Sequence, residues 1–127
     1  MRTTRWNAVG RGLAMAALAA ACGSLHAAPA EWDGLSISKI RAVGDYNGSD
    51  TTFDNTIEIW LTSPPALPSG VSCTVNFRVY VNAANKHMVA AAYLAMSTGK
   101  KINVYLDDTA LPIRSGACEA SWVDVLN

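Results

Sequence analysis

Trp60, Arg78, Tyr80 and Tyr105 are the residues of this 127-residue chain whose types and spacing suit a binding surface. Each stands on the polar phase of an alternating segment: Trp60 in TIEIWLT, Arg78 and Tyr80 two apart in VNFRVYV, Tyr105 in INVYL. Successive side chains of a strand point to opposite sides. All four are therefore expected on the outside of a sheet whose inner side takes the interleaved valines, isoleucines and leucines. Flat rings stack on sugars or bases, and Arg78 adds a charged donor and a cation–π contact. Two readings stay open at this point: a ligand surface, or a cover that packs under the 63–70 loop or against another subunit.

Residue types used in catalysis are present but not arranged for it. His87 opens a helical segment with no nucleophile motif such as GxSxG around it, and reads as a surface residue. Asp107 and Asp108 are paired carboxylates, but neighbours at the end of a strand point to opposite sides, which favours a solvated turn. Glu58 and Asp124 read as isolated charges on strand exteriors. The oxygen donors Asp45, Asn47, Asp50 and Asp54 are of the kind calcium takes. Their spacing lacks the glycine at the fixed offset of the helix-flanked calcium loop, and Asn47-Gly48 reads as a hairpin turn. A chain with no enzymatic activity, no cofactor and no metal is expected.

Residues 1–27 read as a secretory leader. Arg2, Arg5 and Arg11 precede the apolar run 13–21, small residues follow, and the run falls far short of the ~20 residues of a membrane-spanning helix. Cleavage after Ala27 or, second, after Ala30 fits the small residues there. Acylation of Cys22 after Ala19-Ala20-Ala21 is the rival processing, with Leu18 one place too far upstream for a good lipobox. The product, 28–127, is a single secreted or periplasmic domain. In either case Cys73 and Cys118 remain as an even pair in a compartment that permits disulfides.

The full chain is formally neutral. Three arginines leave with the leader, so seven basic residues face ten acidic ones in the remaining domain. A mildly acidic domain without a basic cluster is a poor partner for nucleic acid, whose binding depends on neutralising phosphates. No second hydrophobic segment, and hence no transmembrane segment, follows the leader.

The elements that must hold the four residues in place are readable from periodicity. Residues 35–43 form a first strand whose alternation changes phase, and a bulge near Ser38-Lys39 turns Leu35, Ile37, Ile40 and Ala42 to one side. Residues 56–62 alternate cleanly, with Ile57, Ile59 and Leu61 inward. Residues 73–81 follow a proline-rich turn, with Val75, Phe77, Val79 and Val81 inward. A helix capped by Asn82 or Asn85 then presents Met88, Ala91, Ala92 and Ala95 and stops at Gly99. Residues 102–106 and 120–126 complete the set, the last with Val123 and Val125 inward. This β-β-β-α-β-β order, mainly β with one helix and one disulfide, is that of a five-stranded OB-fold-like barrel.

Two stretches carry a resemblance. Glu31-Trp32-Asp33-Gly34 and the helix through Tyr93 into Ser97-Thr98-Gly99-Lys100-Lys101-Ile102-Asn103-Val104-Tyr105 resemble the B subunits of subtilase cytotoxin and typhoid toxin. The resemblance implies a secreted glycan or protein binder, assembled as a homopentamer beside an enzymatic partner chain. The aromatic-rich stretch that those toxins carry after the fourth strand is replaced here by 107–112, and no glycan-contacting residue is carried over.

Overall fold

The computed structural model describes residues 30–45, 53–107 and 114–127. The leader, Cys22, the Asn47-Gly48 turn, Asp50 and Asp108 lie outside the described residues. Within them the chain runs β1 (Ala30–Leu35), β2 (Ile37–Val43), β3 (Thr56–Leu61), β4 (Val75–Asn82), α1 (Lys86–Thr98), β5 (Ile102–Asp107) and β6 (Ala117–Val125). The strands make one sheet in the order β1-β5-β6-β4-β3-β2, antiparallel at every ladder except β4–β6, which is parallel.

The expected first strand is β2, preceded by an unexpected strand, β1, that takes Leu35, so six strands replace the expected five. Trp32 lies within β1: its indole is buried and its Nε1–H donates to the Ala66 carbonyl at 2.9 Å. Ser36 separates β1, which pairs with β5, from β2, which pairs with β3. Consecutive segments thus sit at opposite ends of the hydrogen-bonded order. The expected bulge falls between Ile37 and Lys39. It lets Ile37 and Ile40 both pack on the core, while Ala42 stays exposed. Ser38 fixes the bulge by donating to the Trp60 carbonyl at 3.1 Å.

Core residues follow the period of each element. Ile57, Ile59 and Leu61 of β3, Val79 and Val81 of β4, and Ile102, Val104 and Leu106 of β5 are buried together with Trp32, Leu35 and Val123. α1 adds Met88, Ala92 and Ala95 and packs on β6 and β2. Alanine at two of these three positions lets the helix axis approach closely. Asn85 stands at the helix start without a side-chain cap, because the Asn82 carboxamide oxygen instead accepts from the Ala84 N–H at 2.9 Å, a local turn. Gly99 ends the helix at φ +69°, and the Lys100 N–H reaches back to the Ala95 carbonyl.

The expected bridge joins Cys73 to Cys118, with Cα atoms 5.3 Å apart. It lies beside the start of the parallel β4–β6 ladder, where the N–H groups of Thr74 and Val75 both donate to the Gly116 carbonyl. Gly116 has φ +78°, and a Cβ there would fall on Thr74 Oγ1, so glycine is required for the two strands to meet.

Candidate functional site

Register places Trp60, Arg78 and Tyr80 in two cross-strand rows on the outer side of the sheet. Lys39, Trp60 and Arg78 form one row across β2, β3 and β4. Arg41, Glu58 and Tyr80 form the next, continued by Glu119 on β6. The phase of Trp60, Arg78 and Tyr80 is therefore the expected outward one. Their exposure is not uniform.

Glu58 sits beneath the site. It is 2% exposed although it faces away from the core. A carboxylate tolerates such burial only when charges and donors compensate it. Arg78 Nη1 lies 2.8 Å from Oε1, Arg41 Nη1 3.1 Å from Oε2, and Trp60 Nε1–H donates to Oε2 at 3.1 Å. The reading of Glu58 as an isolated exterior charge is thereby corrected. A strand's alternation gives its side, but its two arginines come from β2 and β4.

Around this carboxylate the cations gather on rings. Arg78 Cζ lies 5.4 Å from the Trp60 centroid, 5.6 Å from Phe77 and 5.8 Å from Phe53, and its buried Nε has no hydrogen-bond acceptor. Lys39 Nζ stands 3.8 Å over the Trp60 ring and Arg41 Cζ 5.2 Å from it. The polar edge of Trp60 is spent on Glu58 and Lys39 stands over its ring, so a ligand meets the half-buried indole together with that ammonium group. Three cations and one carboxylate share the patch.

Phe77 was expected inward, yet it is among the exposed large hydrophobic residues, with its ring 5.2 Å from that of Trp60. It lies near the start of β4, where the ladder to β6 is irregular between Val75 and Tyr80. The aromatic residue tied to the 63–70 loop is Trp32, not Trp60. Asn76 adds a second tie by donating to the Pro65 carbonyl at 2.8 Å.

Tyr80 is 2% exposed, so its outward phase does not give it a free face. Arg114 Cζ stacks 4.7 Å from its ring and its hydroxyl donates to Glu119 Oε2 at 3.3 Å. Burial first, and the neighbouring Glu119 carboxylate second, push its phenol above the ordinary 10.0. The folded state therefore holds this proton to higher pH than the unfolded chain, and its stability falls once pH passes 10.0. Melting curves on either side of that pH should show a steeper decline for the native protein than for Tyr80→Phe, and equal slopes would disprove the assignment.

Tyr105 is set apart from these residues. It pairs across the β5–β6 ladder with Trp122, and the two rings stack at 4.1 Å and 20°. Trp122 was not singled out by the sequence, although alternation with the inward Val123 already turned it outward. The four predicted residues are thus split between the Trp60–Arg78 patch, the covered Tyr80 and the Tyr105–Trp122 stack. His87 is exposed. Among the described residues no group of three or more His, Cys, Asp or Glu side chains is placed to hold a metal, and no helix is long and apolar enough to cross a membrane.

Comparison with known proteins gave no matching family model, curated protein or solved structure.

Proposed function

We propose that this chain is an extracytoplasmic, non-enzymatic recognition module that binds a carbohydrate or protein ligand through the outer face of β2, β3 and β4, centred on Trp60. The carrying observation is the state of that indole. Its N–H is anchored on a buried carboxylate, its ring is partly exposed, Lys39 Nζ stands over the ring and Arg41 lies beside it. An aromatic face held rigid from below loses little freedom when a ligand stacks on it. The exposed cations Lys39 and Arg41 around it favour ligands carrying an acceptor or a negative charge.

The same proposal includes an OB-like closed barrel. The hydrogen-bonded order begins and ends on segments separated only by Ser36, and β4 pairs with β6 in parallel. Both features support a sheet closed by chain continuity, with β3 and β4 on the side where OB domains take ligands. The Cys73–Cys118 bridge supports an oxidising compartment. An enzymatic partner chain rests on the B-subunit resemblance alone.

Trp60→Ala should remove retention on a glycan array or by a captured protein ligand, while the fold survives with a loss of about 1–2 kcal/mol from the partly buried ring and its hydrogen bond to Glu58. Lys39→Ala should weaken the same binding, most at low salt, with unchanged melting. A loss of about 3 kcal/mol for Trp60→Ala, the figure for a buried large-to-small change, without any ligand phenotype would replace this reading by a structural one.

A further inference from the structure

The outer face of β1, β5 and β6, away from Trp60, has no counter-charge of its own. These strands carry Glu31, Asp33, Asp107, Glu119 and Asp124 and not one lysine, arginine or histidine. Two of these carboxylates are engaged elsewhere. Glu119 accepts from the Tyr80 hydroxyl in the row that runs to Glu58, and Asp107 accepts from the Ser121 hydroxyl at 3.3 Å. Glu31, Asp33 and Asp124 are exposed, and among the described residues none of them enters an ion pair. The basic residues next to these strands in sequence do not supply the missing charge: Arg114 lies over the Tyr80 ring, and Lys101 is in no ion pair with a described residue.

An aromatic pair stands among the three remaining carboxylates. Glu31, Tyr105 and Trp122 are in register across β1, β5 and β6, and Asp124 pairs with Asn103 in the neighbouring row. Asp33 follows Glu31 by two residues and shares its side of the strand. The stack at 4.1 Å gives one face of the indole to Tyr105, yet Trp122 stays 43% exposed. Trp60 makes the contrast. Its ring already has Lys39 over it and Arg41 and Arg78 beside it, whereas no cation of the described residues lies on Trp122 or Tyr105.

We propose that this face is a second binding surface, and that it takes an extended, arginine-bearing segment of a separate, basic protein partner. Charge complementarity names the occupant: unpaired carboxylates flank an exposed ring that lacks a cation. A guanidinium is planar, weakly hydrated and always charged, so it stacks on the indole while its N–H groups reach the carboxylates on either side. An ammonium is compact and strongly hydrated, and gives up more water for the same contact. Residues two apart on an extended chain lie on one side, about 7 Å apart. That is the spacing of Glu31 and Asp33, so alternate arginines of the partner segment meet successive carboxylates. The Trp60 patch, surrounded by cations, repels such a segment. The two surfaces therefore take ligands of opposite charge, and they stand or fall separately.

Fluorescence anisotropy of a labelled peptide of alternating arginine and glycine, titrated with the folded protein, should show saturable binding that weakens with added salt, since exposed charge pairs are screened. The same peptide with lysine in place of arginine should bind about tenfold more weakly, and one with glutamate should not bind. Trp122→Thr should weaken the arginine peptide about tenfold with unchanged circular dichroism, because the lost ring lies outside the core. Glu31→Gln with Asp124→Asn, a nearly isosteric pair of changes, should remove the binding, and Trp60→Ala should leave it intact. No saturable binding to the native protein, equal affinity for the two cationic peptides, or binding retained by the Glu31→Gln, Asp124→Asn variant would each overturn the proposal. So would a neutral oligosaccharide that binds through Trp122 while the arginine peptide does not.

Discussion

Removing the Cys73–Cys118 bridge, by Cys73→Ser with Cys118→Ser, lowers the stability of the folded chain by about 4 kcal/mol, the chain-entropy value for a closed loop of about 46 residues. Both cysteines are buried, at 3% and 1%, and the bond clamps the one parallel ladder of the sheet where it begins. β4 and β6 are far apart in sequence, with the helix and β5 between them, so without the bridge the unfolded chain regains all the freedom of that loop. A domain of this size has about 5–15 kcal/mol of net stability. Urea unfolding of the double variant should therefore show a strongly lowered midpoint with a similar or larger slope. A midpoint unchanged from the oxidised native protein would mean that the ladder and the core alone hold β4 to β6.

Replacing Glu58 should be the most damaging single change on the outer side of the sheet. Glu58→Ala leaves Arg78, whose side chain is 13% exposed, among Phe53, Trp60 and Phe77 without its counter-ion, and breaking a buried pair in this way costs about 3–5 kcal/mol. Arg41, half in water, would lose far less. The double variant Glu58→Leu with Arg78→Met should recover much of the loss, because an apolar pair of similar volume needs no compensation there. Denaturant melts of the single and double variants give the coupling directly. Additive losses would show that Glu58 and Arg78 stabilise the sheet independently.

Local order carried the sequence reading a long way. The stripe of Met88, Ala92 and Ala95, the left-handed stop at Gly99, the inward Ile57, Ile59 and Leu61 and the bulge beside Ser38 all depend on neighbours a few residues apart. What failed depended on residues brought from a distance. Tyr80 has the outward phase that its strand predicts, but Arg114 and Glu119 arrive from beyond β5 to cover it. Phe77 has the inward phase but lies near the irregular start of its ladder, and finds Trp60 instead of the core. Alternation tells which way a side chain points, not what covers it. The break at Ser36 escaped for a related reason: Gly34 takes φ +64° inside β1 and accepts no side-chain pattern, so alternation could be followed only from Leu35.

The candidate site was readable as a set of residue types and not as a geometry. Trp60 and Arg78 do share one patch, and Tyr105 does lie outward, but the buried carboxylate that organises the first two was read as an ordinary surface charge. A glutamate flanked by isoleucines on an alternating strand gives no sign of its partners when these are Arg41 and Arg78, each on a neighbouring strand.

The position of β6 has a consequence for how the molecule is made. It follows every other described strand in the chain, yet β6 lies between β5 and β4, inside the sheet rather than at its rim. A nascent chain that has not reached Ala117 can form the β2–β3–β4 meander and the helix, but it has nothing to join them to β5 and β1. Its second bridging thiol is also missing. Completion of the sheet must wait until β6 has emerged.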